Sequence, residues 1–226
     1  DDIQIILIWL QMVSKYINNK CYKPITIHLY KTPCKKLMPV NGEIIGPYHL
    51  NSGACYHFQD KIDLFSWREE EWLRVVIHEI IHAFTLDFAT VQNNNINTLI
   101  KQTFPINKNI NLFETYTELW AKILNSMFSY YKISKKKERT NKLFLENFDF
   151  FIKIETLFTL FQTTKILTYM QLDYEQLYKK DISTAILRNS LYKEKSNVFE
   201  YFILLSGLIV NIDKFLEWCD TNNKPY

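Results

Sequence analysis

Glycine and proline are both scarce, with four glycines and six prolines in 226 residues. A chain so poor in turn formers does not read as a turn-rich β sandwich and argues for long helices. Cysteine is sparse too. Cys21, Cys34, Cys55 and Cys219 lie far apart with no CxxC pair, so nothing resembles a disulfide framework or a thiolate zinc site. No N-x-S/T sequon occurs. No basic stretch precedes the apolar-rich residues 3–13, which follow Asp1 and Asp2, so no signal peptide is expected. The most apolar segment, Phe202 to Val210, is far too short to span a bilayer. The formal net charge of +3 is not the footprint of a dedicated nucleic-acid binder. These absences leave a soluble protein of a reducing, intracellular compartment as the expectation.

What is present is apolar bulk, 47% hydrophobic and 15% aromatic, enough for a well-packed domain with a substantial appendage. Ile6, Trp9, Leu10 and Val13 recur at helical spacing within an expected helix from Ile3 to Ile17. The β-branched alternation Pro24–Lys31 reads as a strand. Residues 32–63 hold three of the glycines and three of the prolines, and "HLNSGACYHF" within them fits an edge strand. A long helix is expected from Ser66 to Ala89, with Ser66 and Glu69 spaced as a capping box. Asn93–Asn109 is asparagine-rich and broken by Pro105. A second helix follows from about Leu112 to Tyr131. Beyond the charged "KISKKKERTNK", residues 143–218 alternate apolar helical patterns with short polar breaks. The fold class expected is α+β, mostly helical: a catalytic region over 1–131 and a helical subdomain over 132–226.

The chemistry concentrates in "WLRVVIHEIIHAFTLDF". His78 and His82 are four apart and project from one face of a helix, so both rings can reach one ion. Glu79 is rotated about 100° from His78, placing it beside the metal as a base rather than a ligand. Val75, Val76, Ile77, Ile80, Ile81 and Phe84 surround the polar trio. Burying two imidazoles and a carboxylate in such a helix is costly without partners, and a metal would supply one. A chance H-E-x-x-H in a chain of this composition arises roughly once in a hundred, which favours a metal site over a core helix carrying two histidines.

The "AFTLDFATVQ" after His82 holds no glycine, and no further histidine occurs in the chain, which excludes the H-E-x-x-H-x-x-G-x-x-H arrangement. Asp87 is about 140° around the helix from His82 and is expected to point away. Downstream, "NLFETYTELWAKI" places Glu114 and Glu118 on one helical face, and a His₂Glu set is an established catalytic zinc solution. With these residues the chain resembles the gluzincin metallopeptidases, the thermolysin-like zincins. The stretch from "HLNSGACY" through "WREEEWLRVVIHEIIHAF" is also similar to uncharacterised metallopeptidases of large DNA viruses, which would place the protein in host cytoplasm or virion. The gluzincin resemblance implies a zincin-like small mixed sheet and one Zn²⁺ per chain. His78, His82 and Glu114 would be its ligands, and Glu118 the carboxylate that orients a histidine. Phe113 stands where the family has asparagine, so a shifted register with Glu118 as ligand stays open.

The activity that follows is peptide hydrolysis with Glu79 as general base on a peptide or protein substrate. The alternative is a zincin-like protein that binds metal or peptide without turnover, although such descendants often lose the base that this chain keeps. Ser52, Gly53 and Ala54 have small side chains suited to an edge strand that a substrate could pair with. The fourteen tyrosines and His28, His49 and His57 are all candidates for an oxyanion donor. Tyr116 is expected to face away, and His57 to be a surface residue. Lys135–Arg139 reads as a solvated loop, and Phe148, Phe150 and Phe151 as core.

Overall fold

Apolar residues at every fourth position, Ile5, Trp9 and Val13, bury one face of helix α1 (Asp2–Val13). Its C-terminal bound falls short of the expected Ile17. A computed structural model describes residues 2–17, 23–40, 42–91, 94–135 and 141–223. Cys21 and Lys136–Arg139 lie outside the described residues.

Three strands form one mixed sheet in the order β1-β3-β2: β1 (Ile25–Thr32), β2 (Gly53–His57) and β3 (Ile62–Arg68). β1 runs parallel to β3 and β2 antiparallel to it, with Ile27 opposite Leu64 and Gly53 opposite Ser66. A short helix α2 (Pro47–Leu50) leads into β2, which is an edge strand.

Two expectations fail at the junction of sheet and helix. Ser66 is not a helix cap; it lies in β3, fully buried. Every second residue, Ile62, Leu64 and Ser66, is at most 1% exposed, and strands on both sides satisfy the backbone groups, which a helix starting at Ser66 would leave orphaned. Helix α3 instead spans Trp72–Ala83. It stops there because Thr85 adopts a left-handed conformation (φ 55°) and the Leu86 N–H reaches back to the Ile81 carbonyl at 2.9 Å. On α3, Val76, Ile77 and Ile80 have no exposed surface, each contributing about 1.5–3 kcal/mol of burial. That envelope offsets the cost of the polar groups that the same helix carries.

The asparagine-rich segment holds a helix, α4 (Asn94–Thr103), because Ile96 and Ile100 place half-buried apolar groups one turn apart. It ends before Pro105. Helix α5 (Leu112–Ile133) follows close to expectation. One long helix, α6 (Asn141–Tyr169), replaces the first of the expected alternating patterns. Then come α7 (Tyr174–Tyr178), α8 (Ile182–Leu191), a π-helical segment (Phe199–Leu204), α9 (Leu205–Val210) and α10 (Ile212–Asn222). The molecule is thus mostly helical with a small sheet.

Helix α5 is shared. Its Ala121, Leu124 and Phe128 join the core formed with α1, the sheet and α3, whereas Leu119 and Ile123 join α6, α9 and α10. Phe148 packs on that second side and Phe151 meets Tyr130, but Phe150 is 58% exposed and is not core. The heptad-like spacing that buries Ile152 and Thr159 turns Phe150 to the opposite face of α6. No helix among the described residues is long and apolar enough to cross a membrane.

Candidate metal centre

Helices α3 and α5 pack side by side and bring the motif residues together. His78 Nε2 and His82 Nε2 lie 3.0 Å apart. Glu114 Oε2 stands 3.4 Å from each of them. Two ligands at Zn–N lengths of about 2.0–2.1 Å and a tetrahedral angle would be about 3.3 Å apart. The three donors therefore have the spacing of a single ion's ligand set, and among the described residues this group could hold a metal ion.

Each imidazole is fixed from behind. Glu118 Oε2 lies 3.0 Å from His78 Nδ1, and Asp87 Oδ2 lies 2.5 Å from His82 Nδ1. An ionised carboxylate only accepts, so each Nδ1 carries the proton and each Nε2 faces Glu114. Glu114 thus stands among the ring nitrogens and Glu118 behind His78. Asp87 corrects the expectation that it points away. The helix has ended by then, and the left-handed turn at Thr85 swings Asp87 back under His82, where its side chain is 1% exposed. Asp87 also accepts the Ala89 N–H at 3.0 Å.

The electrostatics favour positive charge at this point. Burial opposes protonation of His78, yet its contacts with Glu114 and Glu118 outweigh that and raise its pKa to about 10. Glu114 is held well below the usual carboxylate range despite its own burial, by hydrogen bonds with both histidines. Glu118 is lowered too, against burial, by Arg74 and His78. Glu79 moves the other way. Burial raises its pKa, as suits a group that exchanges protons.

His78, Glu79, Glu118 and Tyr201 line a cleft of about 710 Å³ that opens between the sheet edge, α5 and α6. Tyr201 is the one of the fourteen tyrosines that the sequence did not single out and the structure places beside the ligands. Its hydroxyl donates to Glu114 Oε2 at 2.9 Å, and its ring stands edge-on to His78. It comes from the π-helical segment, whose irregular register has no sequence signature; such segments gather at functional sites.

The other candidates fall elsewhere. Tyr116 packs on Phe88 and Phe215 and its hydroxyl accepts from Asn223. His28 stacks on Phe65, and His57 is exposed beside Cys55. His49 lines the same cleft but accepts the Gly46 N–H. Burial and the nearby Glu79 charge push the Cys55 thiol up to about 12, which disfavours its thiolate.

On the edge strand, Ser52 just precedes β2 and is committed to structure: its hydroxyl meets Glu71 and accepts from Arg68. Gly53 does not open space toward the cleft. A Cβ there would meet Val75 Cγ1 at 2.3 Å, the Phe65 carbonyl at 2.8 Å and Glu79 Cγ at 3.2 Å. The missing side chain lets α3 press against β2 and seats Glu79. Ala54 follows in β2, half-buried. Comparison with protein-family models, curated proteins and solved structures gives no match to this chain.

Proposed function

We propose that this protein is a zinc-dependent peptidase. The observation that carries the reading is the convergence of His78 Nε2, His82 Nε2 and Glu114 Oε2 on one point, where His78 and the neighbouring Glu79 line an open cleft. Two nitrogens and one carboxylate oxygen form the donor set of a catalytic zinc that keeps a position free. A bound zinc would supply Lewis acidity toward a substrate carbonyl and acidify a water.

The chain's own residues do the rest. Glu79, made more basic by burial, takes the proton of the attacking water on its carboxylate and returns it to the leaving amine. Tyr201 Oη donates to Glu114 Oε2 here, and it would turn that one proton to oxyanion charge once the Glu114 oxygen is taken by a metal. Glu118 and Asp87 hold the two imidazoles in one tautomer. The outer edge of β2 offers main-chain groups to an extended peptide.

The test is elemental analysis of the purified protein with peptide-library cleavage. Wild type should hold one zinc and cleave. Glu79→Gln should hold zinc with activity lowered by about 10²–10⁴-fold. His78→Ala should lose the metal. Zinc retained with no cleavage by wild type would mark a metal-binding protein without turnover, and a folded wild type that takes up no zinc would sink both readings.

A further inference from the structure

Behind the ligands runs a chain of alternating charges that the catalytic reading leaves unused. Lys36 Nζ lies 2.6 Å from Glu71 Oε1. Glu71 precedes α3 and accepts from Ser52 Oγ and Arg74 Nη2. Arg74 Nη1 donates to Glu118 Oε1, and the other oxygen of Glu118 holds His78 Nδ1 at 3.0 Å. One planar guanidinium thus uses its two ends on two carboxylates. One carboxylate anchors the residue just before β2, and the other orients a metal-ligand candidate. Lys122, one turn past Glu118, pairs with Glu155 at 2.5 Å, and its charge also acts on Glu118.

We propose that Arg74 is a positioning residue that fixes the Glu118 carboxylate, and through it the ring of His78, in register with the substrate-side strand β2. The inference rests on the reading of His78, His82 and Glu114 as a metal site. The physical reason lies in the freedom of a carboxylate. Glu118 has two equivalent oxygens and a broad terminal torsion. With Arg74 holding Oε1, only Oε2 is left for His78. Without the guanidinium the carboxylate is free to turn toward Lys122, whose ammonium stands one helical turn away on the same face. His78 would then lose the contact that sets its tautomer. A lysine at position 74 keeps the charge, but its single ammonium does not reproduce a fork that reaches Glu71 and Glu118 together. Ser52 enters the same chain through Glu71, so one side chain links the residue just before β2 to the ligand ring.

Zinc affinity measured by competition with a chromophoric chelator tests this, together with the visible absorption of the cobalt(II)-loaded protein, which reports ligand geometry. Arg74→Met should weaken zinc binding by about 10–100-fold and alter the cobalt spectrum. Arg74→Lys should fall between it and wild type. The double variant Arg74→Met, Glu118→Gln should bind no worse than Glu118→Gln alone, because Arg74 acts through Glu118. Should Arg74→Met not fold, the lysine variant decides, with near-ultraviolet circular dichroism as the control for its fold. Affinity and spectrum unchanged in a folded Arg74 variant would overturn the inference, as would losses that simply add in the double variant. A wild-type chain that takes up no metal would instead overturn the metal reading and this inference with it.

Discussion

Gly53→Ala replaces a hydrogen with a methyl group at a close approach in the site. The added Cβ would sit 2.3 Å from Val75 Cγ1, 2.8 Å from the Phe65 carbonyl oxygen and 3.2 Å from Glu79 Cγ. The Glu79 contact can yield by a small side-chain shift. The Val75 contact cannot, because Val75 is buried and β-branched, with χ1 restricted in a helix. The carbonyl belongs to the central strand, paired with β2 at that position. The substitution must therefore push β2 away from α3. Overpacking of this kind costs about 1–3 kcal/mol, and a backbone contact puts it at about 3. For a chain of this size, that corresponds to a melting temperature lower by roughly 6–12 °C. Val75→Ala in the same chain removes the worst contact but not the Phe65 one, so it should restore part of the loss. The assay is denaturant unfolding of the wild type, the two single variants and the double. A Gly53→Ala chain within about 0.5 kcal/mol of wild type would refute the argument that α3 and β2 are in contact here.

The site's charge makes a pH prediction. With a pKa near 10, His78 is cationic at pH 7 in the metal-free chain, so an incoming zinc must displace its proton. Zinc affinity should rise with pH, and titration calorimetry in buffers of different ionisation enthalpy should show proton release; a buffer-independent heat would count against it. The stability of the metal-free chain should run oppositely. The contribution of a raised histidine pKa is complete below its unfolded value of 6.5 and is lost as the pH climbs through about 10. Asp87→Ala should lower zinc affinity by about 10–100-fold through His82 while leaving the cleft intact; affinity equal to wild type would show that the Asp87 contact does not matter for the metal.

How much of this was legible beforehand differs by element. The helix that carries His78, Glu79 and His82 was readable because four-residue spacing and an all-apolar surround are local properties. The i, i+4 pair Glu114 and Glu118 was readable for the same reason, as was the β-branched strand near residues 25–32. The start of α3 was misplaced because a capping-box pattern at Ser66 competes with strand pairing, and pairing depends on β1 and β2, distant in sequence.

Sequence alone therefore determined which side chains are spaced as a candidate metal site: two histidines, Glu79 beside them and two downstream glutamates, each defined by spacing within its own helix. Only the tertiary structure decided how they meet. It set Glu114 between the imidazoles and Glu118 behind one of them, because the choice depends on how α5 lies against α3. It brought Asp87 back through a left-handed turn at a threonine, where no glycine marked one. It supplied Tyr201 from a segment far along the chain and tied Arg74 on α3 to Glu118 on α5. Those contacts join residues far apart in sequence, and periodicity carries no information about the packing of one helix on another.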